Sequence, residues 1–500
     1  MGHLQPPRKK LRLSESNGLG KVRSLIPENM LFFQLPEYNA GQFEEREAIY
    51  YPRNALDITS NSDVDFYIPP SGDFMHLMKT ELQMRVKVEP KNNLGWTNGG
   101  SLLDTTTFED FTFPKAFEED EVQLAVPIDG FLQTQWRDVN LYLNETLVSG
   151  SNHDFPHRTY MDLMIRTTED DREDMEFEQL FTRSFSKNRG NEPNPYKSKD
   201  KGGIRRSRRI RGGHEIELNG RILTDFLKSP GLLLMNGVSF RLHLKPTTDK
   251  FRFNVCPETF EDKFEYKILD IKLKVNYVKL NNSSVQAAAS MLEHHPMPYS
   301  FVRTEFKTFP LHEGVRERKI PDIFDKQVPI DIVIGMVDSA AFQGDFKKDP
   351  FFFKKNNLES AAFYFEGVSI PGEPLYFVAN PRSHSNRTNS NKEENSTVPE
   401  NDLSKPDEWK MRALKSLWSV AGTRRNGFTS ETYDEGNMLI AIKTDPTVPA
   451  DVPYWGTPKS GNCSLVLHFT EPIVGEQEIL VLARYPALVN ITKGRKIQVK

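Results

Sequence analysis

The sequence predicts a mainly β protein: two tandem antiparallel jelly-roll sandwiches, a double jelly roll, with a few short helices. Three observations predict it. Several segments alternate apolar and polar residues at period two. Two strand patterns recur at a nearly constant spacing. The composition, with 34 Phe and 33 Pro among 500 residues, favours strands and interrupts helices.

Residues 1–24 carry six Lys or Arg against one Glu and read as a mobile arm, which is expected to extend over 1–55. A first jelly roll is expected over 56–280. In LQMRVKV (82–88), Leu82, Met84, Val86 and Val88 alternate with polar residues; VSFRLHL (238–244) does the same. In LDIKLKVNY (269–277), Leu269, Ile271, Leu273, Val275 and Tyr277 fall on one face. Such alternation marks antiparallel sheets with one wet face. SSVQAAASMLEHHP (283–296) predicts a helix capped by Ser283 or Ser284 and stopped by Pro296, in a linker at 281–300. A second jelly roll is expected over 301–500. Inside it PDEWKMRALKSLWSVAG (406–422) predicts a helix with Met411, Leu414, Trp418 and Ala421 on one face. The stretches 168–213 and 381–405 read as loops.

The recurrence begins with DVNLYLNETLV (138–148) and SAAFYFEGVSI (360–370). Setting Tyr142 on Tyr364 puts Phe131 on Phe353, Trp136 on Leu358, Leu141 on Phe363, Leu143 on Phe365 and Val148 on Ile370, an offset of 222. SFRLHLKP (239–246) and SLVLHFTEP (464–472) match at an offset of 225, Ser239 on Ser464 and His243 on His468. The long loops between, 149–213 and 371–436, are nearly equal in length, and each is followed by a strand read as opened by a turn, LNGRILTDF (218–226) and DEGNMLIAI (434–442). Both loops are expected at one end of the molecule, as an outward crown.

The net charge of −4 supplies no global field for DNA or membrane. No segment has the 18 or so uninterrupted apolar residues of a membrane span. MGHLQPPRKKLRL lacks the apolar core of a secretory signal. Cys256 and Cys463, the only cysteines, exclude a disulfide framework and a thiolate zinc site. Asn144, within a sequon, reads as a hairpin-turn residue. Phosphate-loop and nucleophile-elbow motifs are absent. No catalytic, cofactor or metal site is expected.

Four clusters carry candidate chemistry. His153 and His157 in HDFPH flank a Pro and read as loop residues rather than helical metal ligands. TEDDREDMEFE (168–178) holds seven acids in eleven residues and reads as a solvated loop rather than a glycosidase pair. Arg205, Arg206, Arg208, Arg209 and Arg211 are candidates for polyanion contact or for pairing with that acidic run. Arg8, Lys9, Lys10 and Arg12 are candidates for nuclear import or DNA contact.

IVIGMVDSAAFQGDFKKDPFFFKKNNLESAAFYFEGVSIPGEPL (332–375) closely resembles the double-jelly-roll, hexon-like major capsid proteins of Polinton/Maverick elements and adintoviruses. Residues 126–164, 214–244 and 428–446 extend the resemblance over most of 60–500, and the Val337-Asp338, Phe342, Gly344 and Pro350-Phe351 spacing is its most specific part. The N-terminal arm, 168–213 and 381–405 depart from it. The resemblance implies a non-enzymatic homotrimer, a pseudo-hexagonal capsomer that meets neighbouring capsomers in an icosahedral virion around double-stranded DNA. It also implies a separate single-jelly-roll penton protein and assembly in the host nucleus. The alternatives are a jelly-roll carbohydrate-binding module or hydrolase, and a capsid-derived host protein with a changed role.

Overall fold

The computed structural model describes residues 42–54, 61–91, 123–183, 186–229, 233–261, 263–324, 327–377, 408–434, 436–444 and 459–499. The first half runs β1 (Gln42–Tyr50), β2 (Val64–Ile68), β3 (Phe74–Pro90), β4 (Leu124–Pro127), α1 (Phe131–Thr134), β5 (Trp136–Leu143), β6 (Thr146–Ser149), α2 (Phe155–Arg166), α3 (Arg172–Gln179) and α4 (Lys201–Ile210). It continues through β7 (Glu215–Arg221), β8 (Leu233–Leu234), β9 (Phe240–Pro246), α5 (Asp249–Arg252), β10 (Phe253–Cys256) and β11 (Phe264–Leu280). After α6 (Asn282–His294) come β12 (Met297–Leu311), β13 (Glu317–Ile320), β14 (Asp331–Asp338), α7 (Ser339–Gln343), β15 (Leu358–Phe365) and β16 (Val368–Tyr376). The chain closes with α8 (Glu408–Ala421), β17 (Ile440–Lys443), β18 (Cys463–Phe469), β19 (Gln477–Ile491) and β20 (Ile497–Val499).

Each half contains two antiparallel sheets, and the strand orders match. β1-β11-β3-β7 corresponds to β12-β19-β14-β17, and β2-β9-β5-β6 to β13-β18-β15-β16. Chain order fills equivalent places in both halves, so each half is an eight-stranded jelly roll. β8 and β20 extend the first sheet of their half, while β4 and β10 form a separate ribbon.

The registers correct the sequence alignment. Leu141 and Tyr142 face Leu242 and Arg241; Phe363 and Tyr364 face Leu465 and Ser464. Ser464 is therefore the counterpart of Arg241, not of Ser239, and the offset there is 223. A slip of two residues keeps every side chain on its face, so periodicity cannot detect it. Both halves carry the same bulge, between Trp136 and Asp138 and between Leu358 and Ser360. The two hairpins that follow turn at Asn144-Glu145 and Glu366-Gly367, all four with positive φ, the geometry a two-residue turn needs to match strand twist.

Five other expectations change. β1 lies inside the stretch expected to be an arm, paired along β11. Leu269 leaves the buried face because a bulge between Ile268 and Asp270 resets the alternation. Asn219-Gly220 is no turn; it sits in the β3–β7 ladder opposite Gln83 and Leu82, where a Cβ on Gly220 would press on Gln179 and Leu132. The run 168–213 is not a solvated loop: it carries the helices α3 and α4 and folds back over the sandwiches, with Arg183, Arg189, Asn194, Tyr196 and Asp200 buried. Of the second long loop, 378–407 lies outside the described residues, and α8 occupies much of the remainder. The linker helix is capped by Asn281, whose side chain accepts from the Ser284 N–H.

Candidate functional site

The densest chemistry lies between the two sandwiches. α2 begins at Phe155, with Pro156 in its first turn, where proline has no intrahelical N–H to lose. One face of α2 lies over the second sandwich: Met161 and Ile165 share a small cavity with Val333, Val420 and Leu482. His157, read as a loop residue, is fully inside α2. Its ring packs against Phe251, Phe306, Phe342 and Phe351, and Nε2–H donates to the Pro350 carbonyl at 3.2 Å. Burial pushes its pKa down to about 3, so it is neutral. His153 lies outside the helix with positive φ and bonds Asp138 at 2.8 Å. The two histidines do not converge.

Buried arginines tie the halves together. Arg189 donates to the carbonyls of Phe351 and Gly436 and to Asn437 Oδ1, and pairs with Asp349 at 3.2 Å. Arg183 donates to the carbonyls of Asn426 and Thr167; burial lowers its pKa to about 10. Asn426 returns a bond to the Ile165 carbonyl at 3.0 Å. Arg158 faces Asp225 at 3.6 Å, and Asp225 accepts from the Thr304 N–H. Phe352 is wedged between Gly190 and Gly436, where a Cβ at either position would overlap its ring. Charged groups buried this thoroughly persist only when paired, so the seam joins the sandwiches as one packed body rather than as two hinged domains.

The arginine cluster divides. Arg206 is buried; it donates to the Pro127 carbonyl and Thr182 Oγ1 and lies 3.2 Å from Asp129. Arg205 pairs with Glu176 of the acidic run at 2.9 Å. Arg209 caps the same helix by donating to the carbonyls of Glu176 and Phe177. Arg211 is half-buried and Arg208 exposed. The acids form α3, with Glu173 and Asp174 in its first turn, where the helix dipole favours them. Arg8, Lys9, Lys10 and Arg12 lie outside the described residues. Among the described residues no group of three or more His, Cys, Asp or Glu could hold a metal ion, and no helix is long and apolar enough to cross a membrane.

Sequence reasoning missed Arg158, Arg183 and Arg189. Nothing in the residues around them distinguishes a buried arginine from a solvated one.

Two jelly rolls of identical strand order, locked by a buried seam, define a double-jelly-roll protein. Its fold is similar to that of PBCV-1 VP54, solved as a crystal structure fitted into a reconstruction of the virophage Sputnik (TM-score 0.53, 10% identity, 94% of this chain and 99% of that one). The quasi-atomic model of the PBCV-1 virus capsid gives a TM-score of 0.51 at 10% identity over 94% of this chain and 99% of that one. A chain of the Sputnik virophage structure gives 0.52 at 10% identity over 97% and 94%. No protein-family model matches the sequence. An uncharacterised protein of Caenorhabditis elegans, F54H12.2, is 24% identical over 165 residues, 33% of this chain; the match spans only 39% of that relative's length.

Proposed function

We propose that this protein is a major capsid protein of the Polinton/Maverick and adintovirus type, and that its mechanism is self-assembly. The observation that carries the reading is the pair of same-order jelly rolls joined by a buried seam. Two similar lobes per chain give a homotrimer six, and six lobes tile a hexagonal lattice with one gene product. A closed trimer uses two different faces of each subunit, which needs area rather than a cleft. The fold similarity to the PBCV-1 capsid over 94% of the chain supports it, as do the sequence blocks around Val337-Asp338. On this reading the protein resides in the virion shell around double-stranded DNA, beside neighbouring capsomers and a single-jelly-roll penton protein. Arg8, Lys9, Lys10 and Arg12 serve nuclear import or DNA contact, and exposed Arg208 remains the polyanion candidate of its cluster.

Light scattering on the size-exclusion peak tests this. A species near three times 57.5 kDa is expected. A monomer at every salt concentration and pH would overturn the reading.

A further inference from the structure

The two strands that open the jelly rolls, β1 and β12, occupy equivalent edges and are held in different ways. β12 is 15 residues long and buries Tyr299, Phe301 and Leu311. β1 has nine residues, and from Glu44 to Tyr50 it buries no side chain fully; Ala48 and Tyr50 are half-buried. Beyond its backbone ladder and the partial packing of Ala48 and Tyr50, β1 is held by polar contacts: a bond between the Tyr50 and Tyr277 hydroxyls, a bond from the Asn276 amide to Glu45, the Arg46 guanidinium over the Tyr277 ring, and four ion pairs that reach solvent. Those pairs are Glu44 with Lys279 (3.8 Å), Glu45 with Lys79 (2.5 Å), Arg46 with Asp73 (3.1 Å) and Glu47 with Lys274 (3.0 Å). Exposed pairs of this kind are individually weak and screened by salt.

The pattern is also specific. Along the strand the charges run minus, minus, plus, minus, and the receiving sheet answers plus, plus, minus, plus, from Lys279 and Lys274 of β11 and from Lys79 and Asp73 in and just before β3. An edge strand is a template for pairing with another chain, and this edge is coded for the β1 sequence. Immediately after β1 the chain is pinned again. Pro52 is buried, the Arg53 N–H bonds the Asp65 carbonyl at 2.9 Å, and the Arg53 guanidinium lies 4.1 Å from the Tyr67 ring centre. Exposed Tyr51 is thus the junction between a weakly held strand and a fixed body.

We propose that β1 is an exchangeable strand: the β11 edge of one copy accepts β1 from a second copy of this chain, joining subunits by a strand swap at Tyr51–Pro52. Exchange of an identical element costs little because both pairings make the same contacts. The inference rests on the chain being a self-assembling protein.

The test uses Glu47 and Asn276, which face each other across β1 and β11. Full-length chains carrying Glu47→Cys are mixed with chains carrying Asn276→Cys, and disulfide formation is followed on denaturing gels. The doubly substituted chain, whose cysteines meet in either pairing, calibrates the yield. Neither single variant can bridge to its own partner position, so a disulfide joining unlike chains at a comparable yield reports exchange. Raising NaCl to about 0.5 M is expected to speed its appearance on the order of tenfold by screening the pairs that remain, three on the Glu47→Cys chain and four on the Asn276→Cys chain. Light scattering on the same samples keeps the two readings apart. A trimer without the cross-link overturns the swap and leaves the capsomer standing. A cross-linked pair that never exceeds two chains supports the swap and contradicts the trimer. An uncross-linked monomer overturns both.

Discussion

β3 and β11 of the first jelly roll and β14 and β19 of the second hold equivalent places, yet their surroundings are opposite. Along β3, Leu82, Met84, Val86 and Val88 are buried while Gln83, Arg85 and Lys87 reach solvent. The wet face is a lattice of ion pairs such as Lys274 with Glu81 and Lys267 with Glu89. Along β14 every residue from Asp331 to Val337 is buried, as is every residue from Ile479 to Tyr485 of β19. α2 of the first sandwich and α8 of the second meet over Val333 and Leu482. One sheet has a single covered face and the other has two. The duplicated fold has become asymmetric because the first half lends a helix to the second.

The largest test of that contrast places a charge in each sheet. Leu482→Asp puts a carboxylate between two covered faces and is expected to cost more than about 4 kcal/mol and abolish folded, soluble protein. Gln83→Lys, at the wet face of β3, is expected to stay within about 0.5 kcal/mol in a denaturant melt. Equal outcomes would contradict the asymmetry.

The seam should respond next. Arg189→Ala leaves Asp349 buried without its partner and is expected to destabilise by about 3–5 kcal/mol, read as a lowered unfolding midpoint. Removing the exposed Arg425–Asp170 pair, which also spans the halves (3.1 Å), is expected to change the midpoint by less than about 0.5 kcal/mol.

Acid should loosen the seam more gently. The folded pKa of His157, about 3, lies below the ordinary value of 6.5. Below pH 6.5 the unfolded chain therefore binds a proton that the folded chain does not, and stability falls as pH falls. Between about pH 6.5 and 5 that linkage amounts to roughly 2 kcal/mol. His157→Phe is expected to flatten this part of a stability–pH curve; an unchanged slope would place the proton elsewhere.

The smallest effect belongs to the wet lattice. Lys274→Ala is expected to cost about 0.5 kcal/mol at low salt and nothing measurable at high salt, by chemical denaturation.

What the sequence made legible follows the same contrast. Period-two alternation exposed β3, β9 and β11 because one face of each is wet, and the 222-residue offset exposed the duplication. β14 and β19 show no alternation, since both faces are covered; the block of resemblance at 332–375 takes in β14, and β19 lies in none of the quoted blocks. α2 stayed hidden because Pro156 reads as a breaker until its place in the first helical turn is known. α3 and α4 stayed hidden because charges and the Gly202-Gly203 pair mask short helices whose buried faces hold few apolar residues. The seam arginines depend on tertiary neighbours such as Asp349 and Asp225, which no local pattern announces.

On the proposed reading, two equivalent lobes per chain assemble as three chains. Electron-microscopic class averages of the purified protein test it most directly. A threefold particle with a hexagonal outline and six lobes is expected. Isolated two-lobed particles under all conditions of salt and pH would contradict it.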